Sequence, residues 1–88
     1  MYLHLGNGVA VRREEILSIC DLDITSQSFR TREFLKRAEK AGEIVNVAEE
    51  ELPKSFVVCS EGKGQRVYLC QLNSSTLLKR SESKGVEF

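Results

Sequence analysis

The sequence predicts an α+β domain: a small, mostly antiparallel sheet with one long helix and a short C-terminal helix, in a chain that oligomerises. Three observations predict it. Phe56-Val57-Val58-Cys59 and Val67-Tyr68-Leu69-Cys70 are apolar runs of strand formers on either side of Glu61-Gly62-Lys63-Gly64, and two such runs around a glycine turn signal a hairpin. Between Ser28 and Gly42, the residues Phe34, Leu35, Ala38 and Ala41 recur at helical spacing and give one apolar stripe. The third is size: 88 residues make one domain with a small core. Its short apolar strands exceed what one helix covers, so more burial is expected from further copies of the chain.

Taken in order, Tyr2-Leu3-His4-Leu5 is β-compatible, Gly6-Asn7-Gly8 is a turn and Val9-Ala10-Val11 is a second short strand. Arg12-Arg13-Glu14-Glu15 is a charged break, either a tight turn or one helical turn. Ile16 to Leu22 is near-continuously apolar, which predicts a central strand covered on both faces by the protein itself or by a partner. Asp23 to Gln27 is polar and connecting. Ser28 then suits the N-cap of the long helix, and Gly42 suits its C′ position. Ile44-Val45-Asn46-Val47 leaves that helix as a strand, and Ala48-Glu49-Glu50-Glu51 forms an acidic, exposed loop that ends at Pro53. After the hairpin, Asn73 or Ser74 offers an oxygen to the first free N–H groups of a helix. Leu77 and Leu78 form the apolar side of that helix, and Lys79-Arg80 stand in its last turn, where cations suit the dipole. The helix is too short to stand alone and must dock. Residues 1–81 read as the domain and 82–88 as a flexible tail.

Thirteen basic and 13 acidic side chains give no net charge. Bulk electrostatics therefore do not draw this chain to nucleic acid, and any such binding needs the charges gathered in patches. The long helix carries Arg30, Arg32, Lys36, Arg37 and Lys40, with Glu33 and Glu39 among them. Its surface is either a solvated face laced with ion pairs or a phosphate-contacting face. Three cysteines, Cys20, Cys59 and Cys70, stand far apart in apolar runs. The odd count without a CxxC pair argues against zinc and against a disulfide framework, and reads as small buried hydrophobes in a reducing compartment. No stretch has the length of a membrane span, and the N-terminus lacks a basic segment followed by an apolar one. A cytoplasmic protein without membrane contact is expected.

No catalytic constellation assembles. His4 is the single histidine and sits in a strand pattern. Gly62-Lys63-Gly64 lies between strands and not before a helix, unlike a phosphate-binding loop. Ser74-Ser75-Thr76 reads as helix-start chemistry, since no base accompanies it. The expectation is a non-enzyme with no cofactor and no metal.

Several pieces together resemble a known family. They are Met1-Tyr2-Leu3-His4-Leu5-Gly6; Ile16, Ile19 and Asp21; Glu33-Phe34-Leu35-Lys36; Pro53-Lys54-Ser55 followed by Val57-Val58; and Leu72-Asn73-Ser74-Ser75-Thr76-Leu77 with Lys79-Arg80. In this order they are similar to the extracellular matrix regulator B proteins, small bacterial relatives of the biofilm-matrix regulator A. The similarity runs over nearly the whole chain to Arg80. The resemblance implies a cytoplasmic DNA-binding protein that acts in transcription of matrix genes. For the A branch it implies closed rings whose basic side chains engage the DNA backbone. With the turn positions, it points to Lys54, Arg12 and Arg13 as DNA-contacting residues; Arg30 and Arg32, near the start of the long helix, are further candidates, and the partners implied are DNA and further copies of the chain. The A branch carries arginines in the loop before the penultimate hairpin, where this chain has Glu49-Glu50-Glu51-Leu52. A family arginine before the Ile16 strand falls here at Glu14. The alternative is an oligomeric structural module that has lost direct DNA contact, favoured by zero net charge and by the acidic loop.

Overall fold

The computed structural model describes residues 1–22 and 28–82. The chain opens with strands β1 (Tyr2–Gly6) and β2 (Val9–Arg12), which form a separate two-stranded antiparallel sheet. Asn7 and Gly8 make the turn with φ of 49° and 77°. Positive φ at both central residues is what a two-residue type I′ hairpin needs, and Asn-Gly takes it at least cost. A single 3₁₀ turn over Arg13–Glu15 leads into β3 (Ile16–Asp21). Helix α1 (Phe29–Lys40), β4 (Ile44–Asn46), β5 (Ser55–Glu61), β6 (Gly64–Cys70) and helix α2 (Ser74–Glu82) follow. The predicted Asp23–Gln27 connection and the tail beyond Glu82 lie outside the described residues.

The larger sheet has the order β3-β5-β6-β4. β5 pairs antiparallel with β3 and with β6, while β4 pairs parallel to β6. β5 and β6 are therefore the two inner strands, and β5 is the more buried of them. Ser55, Phe56, Val57, Val58 and Cys59 are all buried, as expected for a strand paired on both sides and covered on both faces. The sheet separates two apolar layers. Phe56, Val58 and Val67 face Ala38, Phe34 and Leu35 of α1. Val57, Cys59 and Cys70 face Leu3, Leu5 and Val11 of the first hairpin and Leu77 of α2. The alternation along β5 thus feeds two cores, and the hairpin and α2 together supply the second cover.

The expectation of a central strand at Ile16–Leu22 is corrected. β3 is an edge strand: its register against β5 slips between Ile16 and Ser18, and Leu17 is left 64% exposed. Ile16 and Ile19 pack towards the hairpin and Cys20 and Leu22 towards α1. Continuous apolarity thus marks a two-faced strand here, not a central one.

α1 is 12 residues long and α2 nine, so the contrast between a long and a short helix is modest. Ser28 stands at the N-cap of α1 with extended backbone, but its side chain makes no capping bond. The other end follows the sequence signal. Gly42, at φ 72°, donates to the Glu39 carbonyl, and Glu43 donates to Ala38 at 2.9 Å. This is the Schellman arrangement. Ala41, expected in the apolar stripe, is exposed because the helix has ended. At α2 the open choice of cap resolves to Asn73, whose Oδ1 accepts from the Thr76 N–H at 2.8 Å. Ser74 instead donates to Asp21 Oδ2 at 3.2 Å and ties α2 to the end of β3. Leu77 is fully buried, whereas Leu78 is 45% exposed.

Candidate nucleic-acid interface

The cations singled out from the sequence fall in three places. Lys54 precedes β5; its N–H donates to the Cys70 carbonyl and its carbonyl accepts from Leu22, which leaves an exposed side chain at that end of the sheet. Arg12 and Arg13 lie at the opposite end. Their turn is fastened there by Ser60, whose hydroxyl donates to the Glu15 carbonyl at 3.4 Å. Ser55 to Ser60 spans roughly 17 Å of extended chain, so Lys54 and the Arg12–Arg13 turn do not form one surface. Arg12 also donates to Glu14 Oε2 at 3.1 Å. That bond raises the arginine pKa, while Glu14 is lowered first by its own backbone N–H and then by Arg12. Arg30 and Arg32 sit on different sides of α1. Arg30 lies beside Ser18 and Cys20 of β3, and Arg32 beside Ile44 and Leu69 on the β4 side.

The structure gathers positive charge on one element. α1 carries Arg30, Arg32, Lys36, Arg37 and Lys40 against two carboxylates, Glu33 and Glu39. Its apolar stripe (Phe34, Leu35 and Ala38) is spent on the sheet, so the cations are left on its outer sides. Phe34 and Phe56 fix this docking with ring centroids 6.3 Å apart. Lys36, Arg37 and Lys40 belong to this surface; helical spacing already put them on the basic face of the helix, but only Arg30 and Arg32 were taken from it as DNA-contacting candidates.

The acidic loop lies on the other side of the sheet. Asn7 of the first hairpin donates to the Val47 carbonyl at 2.6 Å, and Asn7, Gln71 and Glu49 to Glu51 share one polar concavity. Ala48, expected to be exposed with the glutamates, is buried and donates to the Leu69 carbonyl. Charge is therefore gathered locally: cations along α1, carboxylates where β4 leaves the sheet towards the hairpin, with Lys79 and Arg80 of α2 and the Arg12–Arg13 turn in the hairpin layer as well.

Residues 2–80 match the model of a family described as extracellular matrix regulatory protein A-like, or RemA-like. The chain belongs to this family. The RemA-like span takes in both sheets and α1 and ends at Arg80, inside α2. Arg80 itself donates to the His4 carbonyl at 3.1 Å and holds α2 against β1. No curated protein matches the chain.

Among the described residues, no group of three or more His, Cys, Asp or Glu side chains could hold a metal ion. No described helix is long and apolar enough to cross a membrane. The described cysteines are free thiols. Burial pushes Cys59 up to about 11 and Cys70 up to about 12, so both are protonated packing groups at neutral pH.

Proposed function

We propose that this RemA-like chain is an oligomeric DNA-binding regulator of extracellular matrix genes, closed into a ring, that holds the DNA backbone electrostatically. The observation that carries this reading is the local gathering of charge. A helix with five cations and two carboxylates presents them outward while its apolar stripe is buried, and phosphate contacts need such a cluster and no base-specific geometry. Arg32, Lys36 and Lys40 supply the contacts, with Lys54 extending them. Arg12 and Arg13 contribute less, since the charge of Arg12 is partnered by Glu14. In a ring each subunit repeats the contact, so weak sites add through effective concentration.

The test is a mobility shift with nonspecific duplex at two salt concentrations. Binding at low salt should weaken steeply, with a log–log slope of roughly −0.9 per phosphate contact. A wild-type chain that shifts no duplex at low salt overturns the reading. It would leave the second one, an oligomeric module without DNA contact, which the acidic Glu49–Glu51 loop and the Arg12–Glu14 pair favour.

A further inference from the structure

Leu52 is 85% exposed and directly follows three exposed glutamates, Glu49, Glu50 and Glu51. The loop that carries it is built, not slack. Glu49 holds a left-handed φ of 57°, a conformation that side chains other than Gly, Asn and Asp keep only where the surroundings impose it. Here Asn46 Nδ2 donates to the Glu49 carbonyl at 3.1 Å, Glu51 donates to Ala48 at 3.0 Å, and Ala48 is buried against Leu69. The result is an apolar knob flanked by carboxylates.

On the opposite face of the sheet, at the β3 edge, Ser18, Cys20, Arg30, Phe34, Phe56 and Val58 enclose a groove of about 300 Å³. Its floor is apolar. Its rim carries Arg30, with Arg37, Glu33 and the 67% exposed Phe29 along the same helix. Arg30 and Arg37 outnumber Glu33, so the rim is positive. The neighbouring edge strand leaves Leu17 exposed as well.

We propose that this groove receives the Leu52 loop of a second copy of the chain. Leu52 seats on Phe34 and Phe56, and Glu50 and Glu51 face Arg30 and Arg37. Charge signs are opposite and both patches have an apolar centre, and the match is between two different patches. Knob and groove lie on opposite faces of the sheet, so one chain cannot join them by itself. The contact is heterologous, the head-to-tail kind that closes rings. It rests on the oligomeric reading above, names the contact that reading requires, and gives the acidic loop a partner other than DNA.

Light-scattering mass at micromolar concentration tests it. The wild-type chain is expected as a multimer. Leu52→Asp should reduce it to monomer with an unchanged circular dichroism spectrum, because the side chain is exposed in the single chain. Arg30→Glu should do the same, and Arg30→Glu with Glu50→Arg should restore the multimer. A wild-type multimer that survives either single substitution overturns this contact and leaves the oligomeric reading standing. A wild-type monomer overturns both.

Discussion

The Ser55 hydroxyl donates to the Leu72 carbonyl at 2.7 Å, from a side chain with no exposed surface. Ser55 opens the inner strand β5, between Asp21 of β3 and Cys70 of β6. Leu72 lies in the link from β6 to α2. The bond therefore joins the start of one strand to the approach to the last helix, and satisfies a fully buried hydroxyl at a half-buried carbonyl. Ser55→Ala leaves that carbonyl unpaired and should cost about 1–3 kcal/mol, read as a lower denaturant midpoint at unchanged m-value. An unchanged midpoint would show that the carbonyl has another partner.

Leu77 and Leu78 are neighbours in sequence with opposite fates, the first fully buried and the second 45% exposed. Leu77→Ala should cost roughly 2–5 kcal/mol by opening a cavity between α2 and the hairpin. Leu78→Ala should stay within about 0.5 kcal/mol. Thermal unfolding of both variants separates them, and equal losses would place Leu78 in a contact outside the single chain.

The two helix starts differ in the same way. Asn73 caps α2 through its side chain, whereas Ser28 makes no such bond. Asn73→Ala should destabilise by about 0.5–2 kcal/mol, and Ser28→Ala should have little effect on the melting temperature. The reverse order would show that Ser28, not Asn73, holds a critical cap.

Alkaline pH should unfold the protein earlier than its surface charges alone require. The thiols ionise at an ordinary value of 9.0 once unfolded, but only near 11 and 12 in the folded chain. Between these values the unfolded chain has shed protons that the folded chain keeps, so stability falls as pH rises above about 9. Cys59→Ala with Cys70→Ala should flatten the pH dependence of the denaturant midpoint in that range, even though the variant is less stable throughout. A slope that stays the same would assign the effect to other groups.

For the DNA reading, Lys36→Glu with Lys40→Glu should weaken duplex binding and reduce the salt slope, with the mass unchanged. Arg12→Ala with Arg13→Ala should have the smaller effect. If the order is reversed, the nucleic-acid surface lies at the turn before β3 and not on α1.

Element types and their order were legible in the sequence because they rest on local physics. Turn glycines, the apolar runs around Gly62 and Gly64, the stripe from Phe34 to Ala38 and the C′ glycine at Gly42 each act within a few residues. The sequence also carried the family, through short pieces such as Pro53-Lys54-Ser55, whose serine proves to be the buried donor to Leu72. Position within the sheet was not legible. Ile16–Leu22 and Phe56–Cys59 are both apolar runs, and only long-range pairing makes β5 an inner strand and β3 an edge. The same holds for the site. Five arginines and lysines chosen by turn position and resemblance scatter over both ends of the sheet and two sides of α1. The tertiary structure decided which charges share a face, because burying the α1 stripe against β5 and β6 turns its cations outward, while the Asn7–Val47 bond keeps the acidic loop with the hairpin. Local gathering of charge in a neutral chain depends on how layers stack, and stacking is set by contacts between residues far apart in sequence.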